Sequence, residues 1–317
     1  MKKKYLAAAF VGGLTALAVE TVVHVYFDIM YTGKLPKSFL MRYGDKKTHS
    51  TMSDLDVLED ESNEWIDSKD VEEIDYKNQR GQNLKGYLLP AENESKRFVV
   101  FAHGYRSSHR GNPAPFAQYY HEKGFNFFSM DHVASGSSEG EYIGFDYYES
   151  EDTMEWIEYL ISRFGEDIEI LLHGVSMGGA TVCKMSDKVP AQVKLIVSDC
   201  AFTSAEDEFK TVAGDYGLGM FAPALYKTYN VMNKKFNGFD LAETDVRESV
   251  KNAKAPMLFV HGGADGFVPT KFVYELYDIC STEKDLLVVE GAGHAAAISK
   301  DGEMYKAKLD EFISKYF

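Results

Sequence analysis

The sequence contains little cysteine, and its cysteines do not have the spacing of a metal site. Only three occur in 317 residues, Cys183, Cys200 and Cys280, and no two of them form a C-x-x-C pair. Each lies in an apolar stretch of the chain. This pattern suggests neither a zinc site nor a disulfide framework, and it predicts three buried free thiols.

Basic residues are also scarce relative to acidic ones. The chain has 34 Lys and Arg against 49 Asp and Glu, which gives a net charge of -15 at pH 7. Such an excess of negative charge repels phosphate backbones and argues against a nucleic-acid partner. No internal repeat or low-complexity segment stands out, and 45% hydrophobic residues in 317 are enough for one large core.

The N-terminus carries a long apolar run. Residues 5–19 are apolar or small apart from one Thr, and they follow Lys2, Lys3 and Lys4. This pattern is typical of a membrane-targeting segment. The run is shorter than the ~20 residues that a spanning helix needs, but apolar residues resume after Glu20 and continue to Phe27. We therefore predict that residues 1–27 form a membrane anchor or a signal segment.

Three fates of this segment are open. An uncleaved anchor would place Glu20 near one membrane interface, whereas a cleaved signal would use the small-x-small sequence Ala16-Leu17-Ala18. A soluble helix would leave the protein in the cytoplasm. Because lysines favour the cytoplasmic side, the first two fates place the rest of the chain outside the cytoplasm. The expected location is the cell membrane, and secretion and the cytoplasm are the alternatives.

Residues 28–70 are polar and are interrupted by Gly33, Pro36 and Gly44. An acidic run lies within 54–64. We interpret this region as a connector with one or two short helices, which Trp65 and Ile66 attach to the rest of the protein. Residues 71–317 then form the predicted catalytic domain.

The remaining chain alternates between strand and helix patterns. Residues 71–77 and 84–89 alternate in polarity around a turn and predict a hairpin. The next apolar runs are hydrophobic on both faces and are separated by helical stretches, which predicts a mainly parallel sheet flanked by helices, an α/β fold. These runs are 97–102, 126–130, 168–172, 193–198, 257–260 and 286–289.

One strand leads directly into a glycine-rich turn that contains a serine. The apolar run 168–172 is followed by Gly174-Val175-Ser176-Met177-Gly178 and then by a helical pattern. A strand, a sharp turn and a helix of this kind hold the serine hydroxyl at the carboxyl edge of a sheet. The small glycines let the strand and the helix approach closely. Ser176 is the predicted nucleophile.

A serine hydroxyl needs an adjacent base at neutral pH, and the base needs an acid that orients it. His294 lies in a small-residue loop after the last predicted strand, from which its imidazole can reach across the sheet edge. Asp265 follows the strand at 257–260 and is the predicted acid, with Asp199, one strand earlier, as its rival. The predicted catalytic residues are Ser176, Asp265 and His294.

Two backbone amides are candidate donors to the oxyanion that forms when a carbonyl is attacked. One is the N–H of Met177, which opens the helix after the nucleophile. The other is the N–H of Tyr105, in the loop after the third strand. His103, His173 and His261 each precede a glycine at a strand end, and we interpret them as structural.

A helical cap over Ser176 is predicted after the sixth strand, at about 201–251. An apolar underside of this cap would suit an acyl or aromatic group, although the same side chains could instead only pack the cap onto the body. The segment is too short for a deep tunnel, so a small to medium ester is expected. Its large apolar residues are Phe202, Phe209, Tyr216, Met220, Phe221, Leu225, Tyr226, Tyr229, Met232 and Phe236.

Five motifs, in order, resemble those of an α/β-hydrolase. They lie at residues 103–108, 131–140, 174–179, 261–269 and 291–294. More narrowly, residues 71–317 resemble bacterial esterase and serine aminopeptidase-like hydrolases that carry an N-terminal hydrophobic segment. The resemblance implies a triad of Ser176, Asp265 and His294 with no cofactor and no metal. After Asp131 the chain departs from the usual Arg-Gly-His-Gly type of loop, so the pocket preferences of relatives do not carry over.

The expected function is hydrolysis of small to medium carboxylic esters through an acyl-enzyme. The first alternative is an aminopeptidase-like activity on short peptides, in which Glu206, Asp207 or Glu208 of the cap would hold an amine. A non-catalytic scaffold is disfavoured, because such proteins usually lose a triad residue or the turn glycines. The expected partner is thus a small-molecule ester or a short peptide.

Overall fold

The structure of the protein is a computed structural model that describes residues 52–215 and 217–317. The predicted N-terminal segment at 1–27, the first part of the connector, and Tyr216 of the cap lie outside the described residues. Within the described ranges, no helix combines the length and the apolar character that crossing a bilayer requires.

The centre of the fold is one eight-stranded sheet with the order β1-β2-β4-β3-β5-β6-β7-β8. β1 and β2 form an antiparallel hairpin, and β2 pairs antiparallel with β4. β3 to β8 run parallel to one another. The strands are β1 Glu72–Lys77, β2 Asn83–Leu89, β3 Arg97–Ala102, β4 Asn126–Asp131, β5 Glu169–Val175, β6 Val193–Asp199, β7 Met257–Gly262 and β8 Lys284–Val289. The predicted hairpin and mainly parallel sheet are confirmed.

Helices pack on both faces of this sheet or form the cap. In chain order they are α1 Met52–Asp67, α2 Ala114–Glu122, α3 Tyr147–Phe164, α4 Met177–Met185, α5 Ala205–Asp215, α6 Ala222–Phe236, α7 Arg247–Lys251, α8 Lys271–Ile279, α9 Ala297–Lys300 and α10 Gly302–Ile313. Short 3-10 helices at Gly219–Phe221 and Leu241–Thr244 complete the cap.

The two faces of the sheet have separate apolar cores. Along β3, Phe98 and Val100 belong to the core that contains Trp156 of α3, whereas Val99 and Phe101 belong to the core on the opposite face. Successive side chains of a strand point to opposite faces, so both sets must be apolar when both faces are covered. This explains the unbroken hydrophobic run of β3.

The connector ends in a longer helix than the sequence predicted. Instead of one or two short helices, α1 spans 16 residues. Leu58, Trp65 and Ile66 are spaced to share one helix face. All three pack against the core that contains Val99 and Phe101 of β3. The Trp65 ring meets the His121 ring edge-on at 5.4 Å. The attachment through Trp65 and Ile66 is therefore confirmed.

The cap lies between β6 and β7, as predicted, and has an apolar cluster of its own. Tyr226, Tyr229 and Met232 of α6 are buried in it, against half-buried rings such as Phe145 from the segment before α3. These side chains pack the cap together. In contrast, Leu218, Met220, Phe221, Val231 and Phe236 are exposed.

Candidate active site

The turn at Ser176 has a conformation that ordinary L residues rarely adopt. β5 ends at Val175 and α4 begins at Met177, so Ser176 alone makes the turn, with φ 58° and ψ -118°. A side chain at Gly178 would collide with the carbonyl of Ala102 at the end of β3. The missing side chain permits this close approach, which holds the strained turn and its hydroxyl at the carboxyl edge of the sheet.

The structure brings Ser176, His294 and Asp265 into one chain of hydrogen bonds. The Ser176 Oγ lies 2.8 Å from the His294 Nε2, and the His294 Nδ1 lies 2.8 Å from the Asp265 Oδ2. A carboxylate only accepts, so Nδ1–H donates to Asp265 and leaves Nε2 to accept from the Ser176 hydroxyl. The arrangement has the geometry that a base needs to take the serine proton.

Asp265 is held as an anion despite complete burial of its side chain. Its Oδ1 accepts N–H groups of Phe267 and Val268, each at 2.9 Å. Its Oδ2 receives His294 and lies 3.3 Å from the His261 Nε2. Burial alone would raise the pKa of Asp265, but the charge of His294 and the hydrogen bonds from both imidazoles hold this pKa far below its usual value.

The rival acid, Asp199, belongs to a different network. Its Oδ2 accepts the Tyr305 hydroxyl at 2.9 Å, and this hydroxyl also lies 3.2 Å from the His173 Nε2. Complete burial raises the pKa of Asp199. The structure therefore places Asp265, and not Asp199, in hydrogen-bonding contact with His294.

The two predicted oxyanion donors belong to segments that adjoin Ser176. Met177 opens α4, where the first backbone N–H groups have no acceptor within the helix. Tyr105 follows Gly104, whose missing side chain would stand 3.3 Å from the Ser176 Cβ. The Tyr105 ring stacks on Phe145 at 5.7 Å, which links this loop to the cluster of the cap. Their roles as donors stay predictions.

The three histidines interpreted as structural are fully buried. His103 accepts the N–H of His132 at its Nε2, 3.0 Å away, so its Nδ1–H donates to the Gly104 carbonyl at 2.7 Å. His173 lies in the core, where burial lowers its pKa to about 3. His261 contacts the acid of the site, and its pKa is raised because Asp265 outweighs the effect of burial.

The loop after β4, where the sequence departs from the resemblance, is fixed by Asp131. The Asp131 carboxylate accepts the backbone N–H of His109 and of Ser137, each at 2.8 Å. His132, the first residue of that departure, is buried beside His103, with ring centroids 4.3 Å apart. The first residue of the departure therefore lies in the interior, where its N–H donates to His103, the residue before Gly104.

Cys200 is a neighbour of the site that the sequence analysis did not identify. Its Sγ, an Asp265 carboxylate oxygen and a His294 ring nitrogen all lie within 4.8 Å of one another. Burial, followed by the charges of Asp199 and Asp265, raises the pKa of this thiol well above its usual value, so it stays protonated. Its position directly after a predicted strand was the available signal in the sequence. All three cysteines are buried free thiols, as predicted.

Comparisons with known proteins agree with this architecture. The sequence model of the family described as "Serine aminopeptidase, S33" matches residues 93–237. The uncharacterized protein YqkD of Bacillus subtilis is 22% identical over 235 residues, which cover 74% of this chain and 76% of that protein. The structure of the esterase Pf2001 of Pyrococcus furiosus covers 78% of this chain and 93% of its own, with a TM-score of 0.63 and 21% identity.

A peptidase is also among the similar structures. The acylaminoacyl peptidase of Pyrococcus horikoshii matches with a TM-score of 0.59 and 16% identity, over 80% of this chain and 43% of its own. Together with the sheet order, these similarities show that the chain has the α/β-hydrolase fold, and they support hydrolase activity.

Proposed function

We propose that this chain, an α/β-hydrolase by fold, is a serine hydrolase that cleaves small to medium carboxylic esters through an acyl-enzyme. The observation that carries the proposal is the chain of two 2.8 Å contacts from Ser176 through His294 to Asp265. The strained turn at Ser176 adds support, because it holds the hydroxyl where a substrate carbonyl can meet it.

In the proposed reaction, the His294 Nε2 takes the hydroxyl proton while the Ser176 Oγ bonds to the carbonyl carbon. The resulting oxyanion accepts the N–H groups of Met177 and Tyr105. Collapse of this intermediate breaks the ester bond, and His294 gives its proton to the leaving alcohol. Water then attacks the acyl-enzyme by the same route, with Asp265 ionised throughout, and this releases the acid and restores Ser176.

The preference for small to medium esters rests on the cap. The cap consists mainly of two helices, α5 of 11 residues and α6 of 15, and the Tyr226 and Tyr229 rings pack against Phe209 between them. The structural similarity to an esterase supports an ester as the substrate.

Replacement of the nucleophile tests the proposal. Ser176→Ala should lower the turnover of short p-nitrophenyl esters by at least roughly 10³-fold, since the attacking oxygen is lost. A fluorophosphonate probe should label the wild-type protein at Ser176 and leave the variant unlabelled. Ser68→Ala, an exposed position at the end of α1, is the matched control and should behave as wild type. Undiminished turnover in Ser176→Ala would contradict the proposal.

A second candidate is cleavage of short peptides, which the match to a serine aminopeptidase family and the similarity to a peptidase structure favour. The same nucleophile would then attack an amide. A panel of short peptides assayed beside the ester panel distinguishes the two, because an aminopeptidase should release N-terminal residues at rates comparable with its ester turnover.

A further inference from the structure

The cap contains a stretch of sequence without an acidic residue. Residues 216–239 contain three lysines and neither Asp nor Glu, although acidic residues outnumber basic ones by 49 to 34 in the whole sequence. Helix α6 occupies most of this stretch, and the 3-10 helix Gly219–Phe221 leads directly into it. The stretch therefore brings positive charge to the surface of a protein that is otherwise strongly acidic.

Helix α6 has one buried face and one exposed face. Tyr226 and Tyr229 are buried in the apolar cluster of the cap. Lys227, Val231 and Lys235 follow one another at intervals of four residues, so they lie along one side of the helix, and all three are exposed. Val231 is 60% exposed, so most of its surface does not pack against the cap.

Two larger apolar side chains are exposed at the start of α6. Met220 and Phe221 belong to the 3-10 helix before α6, and they are 87% and 57% exposed. Apolar surface in water is unfavourable, and apolar side chains exposed in one group are typical of an interaction surface. These two residues therefore need an explanation that packing within the cap does not give.

Two lysines of α6 are available to an anionic partner. Lys234 forms an ion pair of 2.5 Å with Asp240, whereas Lys227 and Lys235 take part in none among the described residues. Positive charge and exposed apolar surface thus occur together on this helix. The outer patch of the cap is defined as Met220, Phe221, Lys227, Val231 and Lys235.

We propose that the outer patch binds the surface of a lipid bilayer that contains anionic lipids. Met220 and Phe221 enter the boundary between the headgroups and the acyl chains. Lys227 and Lys235 reach the anionic headgroups with their long side chains, and the negative potential of such a surface attracts them. The proposal concerns binding alone and does not depend on the hydrolase activity.

Charge favours a bilayer over a second copy of this chain. In a symmetric contact between two copies, each subunit presents the same surface to the other. Because residues 216–239 contain no acid, such a contact through the outer patch sets lysines against lysines. A bilayer instead offers anionic groups, and it needs no preformed pocket for the protruding side chain of Met220.

The length of the chain before α1 also agrees with a bilayer. The predicted membrane segment ends at Phe27, and a chain of the length of residues 28–51 can span up to about 80 Å. An attached protein of this kind would keep its cap within reach of the membrane. Attachment at a second point would then occur at a high effective concentration of lipid.

Quenching of fluorescence by the lipid tests the position of the patch in the full chain. The protein is reconstituted into vesicles of phosphatidylcholine and phosphatidylglycerol, with or without bromine on the acyl chains, which quenches tryptophan on contact. Met220→Trp adds a third tryptophan to Trp65 and Trp156. Bromination should remove at least about half of the emission that this tryptophan adds, since an inserted ring lies at the acyl boundary.

Met304→Trp is the matched control for this measurement. Met304 lies on α10, outside the cap, and is 47% exposed. The emission that its replacement adds should be unchanged by bromination. Equal quenching in the two variants, or none in Met220→Trp, would overturn the proposal.

The charge of the patch is tested on a full chain that does not insert through its N-terminus. Leu14→Asp with Leu17→Asp places two charges in the apolar run at 5–19 and opposes its insertion. Flotation with vesicles that contain phosphatidylglycerol measures the partition coefficient of this chain. Addition of Lys227→Gln and Lys235→Gln should lower it by roughly 10- to 30-fold, the effect of removing two lysines near an anionic surface.

Lys254→Gln with Lys306→Gln makes the same change of net charge at exposed positions outside the patch. This control should keep the partition coefficient of the parent chain, and vesicles of phosphatidylcholine alone should bind the parent chain at least about tenfold more weakly. Equal losses from the two pairs of lysines, or equal binding to the two kinds of vesicle, would contradict the proposal. Absence of binding to either kind would contradict it as well.

Sedimentation velocity of the same parent chain, without lipid, tests the second copy as the occupant. Phe221→Ser removes an exposed ring from the patch and should sediment as the parent chain does. A parent chain that is a dimer and that Phe221→Ser converts to a monomer would assign the patch to self-association and exclude the proposed bilayer contact.

Discussion

At the scale of single residues, two carboxylates compete for the role of orienting acid, and their partners distinguish them. Asp265 has N–H donors on both oxygens, including His294 at 2.8 Å, which favours its anionic form. Asp199 accepts a tyrosine hydroxyl at 2.9 Å, and burial raises its pKa. In the proposed reaction, the direct hydrogen bond to Asp265 would stabilise the positive charge that His294 gains.

Removal of the charge from each acid should therefore have unequal effects. Asp265→Asn presents an amide to the His294 Nδ1 and favours the wrong tautomer, so kcat for a short ester should fall by about 10³- to 10⁴-fold. Asp199→Asn keeps an acceptor for Tyr305 and should stay within about tenfold of wild type. Steady-state kinetics on one ester measures both, and equal losses would contradict the assignment of Asp265.

The sequence was sufficient to predict that Ser176, Asp265 and His294 meet, because each follows a strand and parallel strands end at the same edge. It favoured Asp265 over Asp199, but both follow strands, and the side-chain contact that distinguishes them, from Asp265 to His294, is visible only in the structure. It correctly predicted a buried thiol at Cys200 but not that this thiol lies beside Asp265 and His294, because that contact depends on the turn after β6, where Cys200 has a φ of 44°. Such contacts depend on three-dimensional packing.

At the scale of secondary-structure elements, the lengths of β5 and α1 depend on backbone hydrogen bonds that the pattern of side chains did not predict. The sequence predicted that the strand before Ser176 ends at Leu172, but β5 continues to Val175, which pairs with Asp199 of β6. His173 and Gly174 weaken an apolar pattern without preventing sheet hydrogen bonds. Similarly, the sequence predicted one or two short helices in the connector, but Glu and Leu are good helix formers, and α1 spans 16 residues.

The N-terminus of α3 should give the protein a pH-dependent stability. Glu149 is buried, and its two oxygens accept the N–H groups of Gly144 and Asp146 at 2.8 and 2.9 Å. Burial nevertheless raises the pKa of Glu149 from 4.5 to about 7. The folded state thus holds a proton that the unfolded chain releases, so the free energy of unfolding should fall as pH rises from about 4.5 to 7.

Glu149→Gln should reduce this fall, because Gln does not titrate. Asp152, whose pKa burial raises to about 6, should preserve part of it. Gln has one acceptor oxygen, so one backbone N–H loses its partner, and the variant should be less stable than wild type at pH 4.5. Urea unfolding across this pH range measures the slope. Glu158→Gln, an exposed position on α3, should keep the wild-type slope, and an unchanged slope in Glu149→Gln would contradict the argument.

At the scale of the whole molecule, charge and hydrophobicity are distributed unequally. The chain carries a net charge of -15, but its first four residues include three lysines and no acid. The apolar run that follows, at 5–19, contains no charged residue. A folded acidic domain preceded by a basic and apolar segment is the arrangement expected of a protein attached to the outer side of a cytoplasmic membrane.

We therefore predict that residues 1–27 keep the full chain in the membrane when it is expressed in a bacterium. The protein should stay in the membrane pellet after alkaline carbonate extraction, and protease added to spheroplasts should degrade its catalytic domain. Leu14→Asp combined with Leu17→Asp places two charges in the apolar run, at a cost of a few kcal/mol each near the bilayer centre, and should release the protein. The intact mass separates the remaining alternatives. A full-length chain in the pellet means an anchor, a soluble chain that begins at Val19 means a cleaved signal, and a soluble full-length chain contradicts the membrane prediction.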